Sequence, residues 1–97
     1  MALPKSRDLI IDKTMWGTAY FFEKAGDEFP VHVHDENTNH ITIIVCGAIR
    51  FTGHPNHDGK IAEATPGLTV LNWKAGEPHG FIAMRDGSTI VNLRKHR

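Results

Sequence analysis

Residues 26–47 read GDEFPVHVHDENTNHITIIVCG, and this stretch decides the fold. In Val31-His32-Val33-His34 apolar and imidazole side chains alternate, so an extended strand turns both histidines to one face and both valines to the other. The polar stretch Asp35-Glu36-Asn37-Thr38-Asn39 has the length of an antiparallel hairpin connection. His40 then opens the apolar run Ile41-Thr42-Ile43-Ile44-Val45. On this reading His40 returns beside His34.

The same texture extends in both directions. Short runs rich in Ile, Val, Phe, Thr and Tyr recur between Gly, Pro, Asn and Asp, which predicts strands at 9–12, 18–23, 29–34, 40–46, 48–52, 61–65, 68–73, 79–85 and 88–93. Asp86-Gly87 matches a two-residue hairpin turn, and the loop from Gly53 to Gly59 closes a second hairpin. No helical period, internal repeat, low-complexity tract or linker interrupts the pattern. Short strands without a covering helix are satisfied by two facing sheets or a closed small barrel, whose mouth can hold one ligand.

Composition narrows the partners. The chain has 97 residues, 11 Lys plus Arg against 11 Asp plus Glu, seven His and one Cys. That length suits one small domain over residues 1–97. Balanced charge, with only the short basic end from Arg94 to Arg97, leaves no electrostatic footprint for nucleic acid or anionic membrane. A small-molecule ligand or a protein partner is the expectation. The lone Cys46 cannot close an internal disulfide, and no apolar stretch has the length of a signal or a bilayer span. A cytoplasmic, reducing location follows as an expectation. So does a homodimer, because a short barrel leaves strand edges exposed that pairing between subunits would relieve.

Four histidines carry the chemistry. His32, His34 and His40 lie in the quoted stretch, and His79 follows the turn Gly76-Glu77-Pro78, so all four sit at strand ends. Any one alone reads as an ordinary polar residue. Together they read as ligands, since an unligated cluster would leave desolvated imidazoles competing for hydrogen bonds. Imidazole suits Fe, Mn, Ni, Co, Cu or Zn, and the lack of a carboxylate disfavours Mg and Ca. Asp35 and Glu36 could supply an oxygen ligand in place of His40, but a polar turn accounts for them. His54 and His57 read as surface turn residues, His96 as solvated, and Cys46 as core packing. Tyr20, Phe22, Trp73 and Phe81 are candidate aromatic walls of the pocket; Glu77 could act as a general base, but a solvent-facing loop acid accounts for it. Arg50 shares the face of Cys46 and Ala48 and would meet an anionic ligand there, unless a bulge at Gly47 turns it outward.

The two histidine segments resemble the two motifs of the cupin superfamily. The first motif is written G-x5-H-x-H-x3-4-E-x6-G; here Gly26, His32, His34 and Gly47 keep register, the connection is one residue longer, and His40 stands in the Glu position. The second is G-x5-P-x-G-x2-H-x3-N. Gly67, Gly76 and His79 match, while Lys74 stands near the Pro position and Ala83 replaces Asn. The similarity covers roughly Gly26 to Ala83, with motif 1 at 26–47 and motif 2 at 67–83.

The resemblance implies an all-β, single-domain, cupin-type jelly-roll β-barrel with His32, His34, His40 and His79 around one divalent transition metal. The longer connection can also swing His40 outward, leaving three ligands. An octahedral ion would keep two open positions, as a dioxygenase or an isomerase or lyase needs for a small anionic or chelating metabolite. Tetrahedral zinc would be closed and structural. A non-catalytic metal or small-ligand binding module is the rival class.

Overall fold

Period-two patterning carries through into nine strands among the described residues: β1 (Lys5–Ile10), β2 (Met15–Phe22), β3 (Glu28–His32), β4 (His40–Cys46), β5 (Ala48–Thr52), β6 (Ile61–Glu63), β7 (Thr69–Trp73), β8 (His79–Ala83) and β9 (Ser88–Lys95). The computed structural model describes residues 2–10, 13–32, 40–54, 56–64, 69–73 and 78–95, with backbone alone at residues 40, 69–73 and 95. Every expected strand has a counterpart. The largest shift is β1, which starts at Lys5 because its polar residues pair with β2 through the backbone, from Lys5↔Phe21 to Ile10↔Trp16. Hydrophobic spacing cannot reveal such an edge strand.

The strands form a five-stranded sheet, β1-β2-β9-β4-β7, and a four-stranded sheet, β3-β8-β5-β6. Two expected hairpins are corrected by this order. β3 and β4 belong to different sheets, so these two strands do not pair as the expected hairpin. Likewise β8 and β9 lie in different sheets, and Asp86-Gly87 sits in a crossing between layers. Gly87 adopts φ 75 there, and its N–H donates to Phe22 O at 2.8 Å. Turn chemistry is the same for a crossing as for a hairpin, and only the layer each strand joins separates them. The β5/β6 hairpin is present as expected, with Ile49↔Ala62 in register and positive φ at Gly53 and Gly59.

Apolar side chains from both sheets meet between them. Phe22, Ile44 and Ile90 of the five-stranded sheet pack in one cluster with Ile49, Phe51, Phe81 and Ala83 of the four-stranded sheet. Burying each large side chain stabilises by roughly 1.5–3 kcal/mol. The inner face of the five-stranded sheet changes character along its strands. Register places Tyr20, Ile90 and Ile44 in one row, Thr18, Asn92 and Thr42 in the next, and Trp16, Arg94 and His40 in the third. In the middle row the Thr42 hydroxyl donates to Asn92 Oδ1 at 2.6 Å, with both residues buried. The face thus passes from hydrocarbon, through a hydrogen-bonded hydroxyl and amide, to the row that holds His40.

Candidate metal centre

A bulge positions the first histidine pair. β3 and β8 run in register at Glu28↔Ile82 and Phe29↔Phe81, then shift so that His32 pairs with His79. The extra residue on β3 lies opposite Gly80. A β-carbon at Gly80 would come within 2.8 Å of Val31 N and 3.0 Å of Phe29 O, so a bare residue is what admits the bulged strand. Bulges re-aim side chains where pairing would otherwise hold them. Here Val31 is 48% exposed, while the rings of His32 and His79 lie 4.5 Å apart between centroids with planes at 71°.

The protonation geometry of His32 suits a ligand. Its Nδ1 lies 3.0 Å from Pro30 O, a contact that only a protonated Nδ1 can make as donor, and the neutral ring of that tautomer carries its lone pair on Nε2. Fixing one ring nitrogen on a backbone carbonyl is a common means of orienting a metal-binding imidazole. Two imidazoles bound at about 2.1 Å to one ion at a right angle hold their ring centres about 4.6 Å apart, so the observed separation fits a shared ion. His79 is fully buried.

Aromatic rings wall this pair. Phe29 stands 4.5 Å from His32, Phe81 5.6 Å from His79, and Phe51 5.8 Å from Phe81. Phe81 therefore occupies the expected face beside His79. Tyr20 packs edge-on against Phe29 at 4.8 Å and joins the five-stranded sheet to this wall. Burial pushes its phenol above the ordinary tyrosine range; the Thr18 hydrogen bond and the Arg94 charge pull the other way, and Asp8 adds to the rise.

The remaining expected ligands are placed only in part. His34 lies outside the described residues, as do Asp35, Glu36 and Glu77. His40 opens β4, where its backbone pairs with Trp73 on one side and Arg94 on the other. Among the described residues no group of three or more metal-binding side chains converges.

Three readings change. Arg50 is exposed between buried Ile49 and Phe51, so it does not line the interior. The cause is the irregularity between Ile44 and Cys46 followed by Gly47 at φ 81, which resets the alternation. The same irregularity exposes Cys46, whose thiol donates to Gly87 O at 3.2 Å instead of packing in the core. His54 is 3% exposed rather than a surface residue. Its Nδ1 accepts the Asn56 N–H at 3.1 Å, its carbonyl accepts from His57 and Asp58, and its ring lies 4.8 Å from that of His57.

Arg94 was missed by the sequence reading, which ended the strand at Leu93. β9 continues to Lys95, and Arg94 keeps parity with buried Ile90 and Asn92. Its guanidinium carbon stands 4.9 Å from the centre of the Trp16 ring. The parity of Ile90, Asn92 and Arg94 was the available signal.

No protein-family model and no curated protein match the chain in sequence. Solved structures do match in shape. An RmlC-like cupin from Desulfovibrio desulfuricans superposes with TM-score 0.79 at 20% identity, covering 96% of this chain and 82% of that one. KdgF from Halomonas superposes at 0.73 with 17% identity, covering 95% and 77%. A cupin domain from Bordetella pertussis does so at 0.73 with 15% identity, covering 99% and 96%. At these identities the likeness establishes architecture. Two antiparallel sheets around a shared core, with paired histidines beside a bulge at the start of β8, therefore give this chain the cupin fold.

Proposed function

We propose that this cupin binds a divalent transition metal through His32 and His79, with His34 and His40 as the further ligands, and that the centre serves a small anionic or chelating metabolite. The observation that carries this reading is the His32–His79 ring pair beside the β3 bulge, with Nδ1 of His32 engaged by Pro30 O. A bound metal with open positions would supply Lewis acidity, or redox chemistry if it is iron. The protein's own part is orientation and exclusion. Pro30 holds the His32 tautomer, while Phe29, Phe51 and Phe81 keep water from the buried side.

Arg94 supports an anionic ligand. It lies in the backbone row of His40 and takes the role first assigned to Arg50. A guanidinium there can make a paired contact with a carboxylate.

Metal analysis of the protein purified without an affinity tag tests the assignment. The wild type should retain stoichiometric metal, and His32→Ala and His79→Ala should each lose most of it while keeping the strand signature in circular dichroism. Unchanged metal content in both variants would overturn the site. Iron with an exchangeable water would support catalysis, whereas tightly held zinc without an open position would make the centre structural.

A further inference from the structure

Asn92 stands mid-strand on the inner face of β9, and the protein satisfies only half of its side-chain amide. Its Oδ1 accepts the Thr42 hydroxyl at 2.6 Å. That distance belongs to an O–H donor meeting a carbonyl oxygen, because N–H donors stand farther off, so the amide nitrogen is turned away from Thr42. Among the described residues nothing accepts from Nδ2. Asn92 is only 3% exposed, yet the buried side-chain atom left without a partner among the described residues is Thr52 Oγ1 and not this nitrogen. Nδ2 therefore opens on the space between the two sheets.

Donors dominate the wall around it. Arg94 follows on the same face of β9, about 6.6 Å farther along the strand, in the row of His40. Its guanidinium carbon lies 4.9 Å from the Trp16 ring centre, a stacking that uses the flat face while the N–H groups radiate in the plane. Thr18, beside Asn92 on β2, sends its hydroxyl proton to Asp8 Oδ1 at 3.2 Å. That carboxylate sits on the edge strand and is exposed. His32 and His79 belong to the opposite sheet.

We propose that Asn92 sets the ligand class of this centre as a short oxo acid, whose carboxylate meets Arg94 and whose carbonyl oxygen accepts from Asn92 Nδ2. The inference rests on the metal-centre reading above and narrows its ligand. An acid of about five carbons bridges the spacing of the two β9 positions. A carbonyl fits better than a hydroxyl, since a buried hydroxyl proton would need an acceptor that this donor-rich wall does not offer. An amine fits worst. An ammonium group there would face the amide N–H groups, a guanidinium and the metal ion at once, so the same wall discriminates against amino acids.

Ligand-detected NMR titration with three acids of one carbon skeleton tests the assignment on the untagged protein, alongside its metal analysis. 4-Oxopentanoate carries the carbonyl, pentanoate lacks it, and 4-aminopentanoate replaces it by an ammonium group. The oxo acid should bind at least about 10-fold more tightly than pentanoate, the worth of one hydrogen bond to a buried donor otherwise without a partner. 4-Aminopentanoate should bind more weakly than either. Asn92→Asp keeps an acceptor for Thr42 and exchanges the donor for an oxygen, so its affinity for the oxo acid should fall to that for pentanoate or below.

Equal affinity of the wild type for 4-oxopentanoate and pentanoate overturns the proposal, as does no detectable binding of the oxo acid. Both outcomes are read on the wild type, whether or not Asn92→Asp folds. Failure of the metal reading looks different. A protein that holds no metal but keeps the ranking of the three acids loses the metal centre and retains the Asn92 assignment, whereas bound metal without that ranking does the reverse.

Discussion

Gly80 lies directly against the backbone of Val31: a β-carbon at position 80 would stand 2.8 Å from the Val31 nitrogen. It would also meet Thr52 Oγ1 at 2.5 Å, from the strand on the other side. One missing methyl group thus allows β3 to bulge and His32 to reach His79. Gly80→Ala should force β3 outward, with overpacking costing about 1–3 kcal/mol. At about 4–8 °C per kcal/mol, thermal unfolding should register the change. Metal retention should fall with it. An unaltered melting temperature together with full metal content would show that the bulge does not depend on Gly80.

Metal binding should also be visible as stability. An ion that binds only the folded state adds about 2.7 kcal/mol when present at a hundred times its dissociation constant. Chelation should therefore lower the wild-type melting temperature, and restoring a transition metal should recover it. His32→Ala and His79→Ala should flatten that response. Recovery of equal size in wild type and both variants would place the ion elsewhere.

Tyr20 is the lone tyrosine of the chain, so a spectrophotometric titration of phenolate reads this residue alone. Burial raises its folded-state ionisation above the ordinary value. The unfolded chain then releases the phenolic proton first, and the stability linked to the neutral ring is lost as pH rises through about 10 toward the folded value. Tyr20→Phe should reduce the alkaline fall in stability. A midpoint at or below the free tyrosine value would contradict the packing of Tyr20 on Phe29.

The buried polar row should be sensitive to isosteric change. Thr42→Val deletes the hydroxyl that donates to Asn92 Oδ1, leaving a buried acceptor without that donor. Loss of about 1–3 kcal/mol is expected in denaturant unfolding, and Thr42→Ser should retain most of the stability. Equal stability of the Val and Ser variants would mean that the bond contributes nothing net.

His54 should behave as a structural residue despite its chemistry. His54→Ala removes the acceptor for Asn56 N–H and leaves a cavity in a buried position, so it should cost about 2–4 kcal/mol. Metal content should stay at the wild-type level in the folded fraction. A drop in metal content equal to that of His79→Ala would make His54 part of the centre.

The sequence alone was sufficient for the presence of the strands. Runs of β-branched residues between turn formers mark 40–46 and 88–93 as strands, and the alternation of valine and histidine separates exposed Val31 from half-buried His32. The glycine and histidine spacings added the fold. Polar β1 lay beyond this reach because an edge strand is held by backbone hydrogen bonds, which leave no mark on side-chain pattern. Arg94 was hidden by placing the strand end two residues early, although its parity with Ile90 and Asn92 was legible.

Tertiary structure alone decided which strands share a sheet and which parity faces inward after an irregularity. Nothing local distinguishes Asp86-Gly87 in a crossing from Asp86-Gly87 in a hairpin, because the choice depends on which layer the next strand joins. Arg50 and Cys46 follow the same logic: a one-residue slip near Gly47 exchanges inside for outside, and its presence is set by how β4 meets β9. The sequence determined the kinds of side chain available to a centre. Packing decided which of them converge, because convergence depends on contacts between strands far apart in the chain.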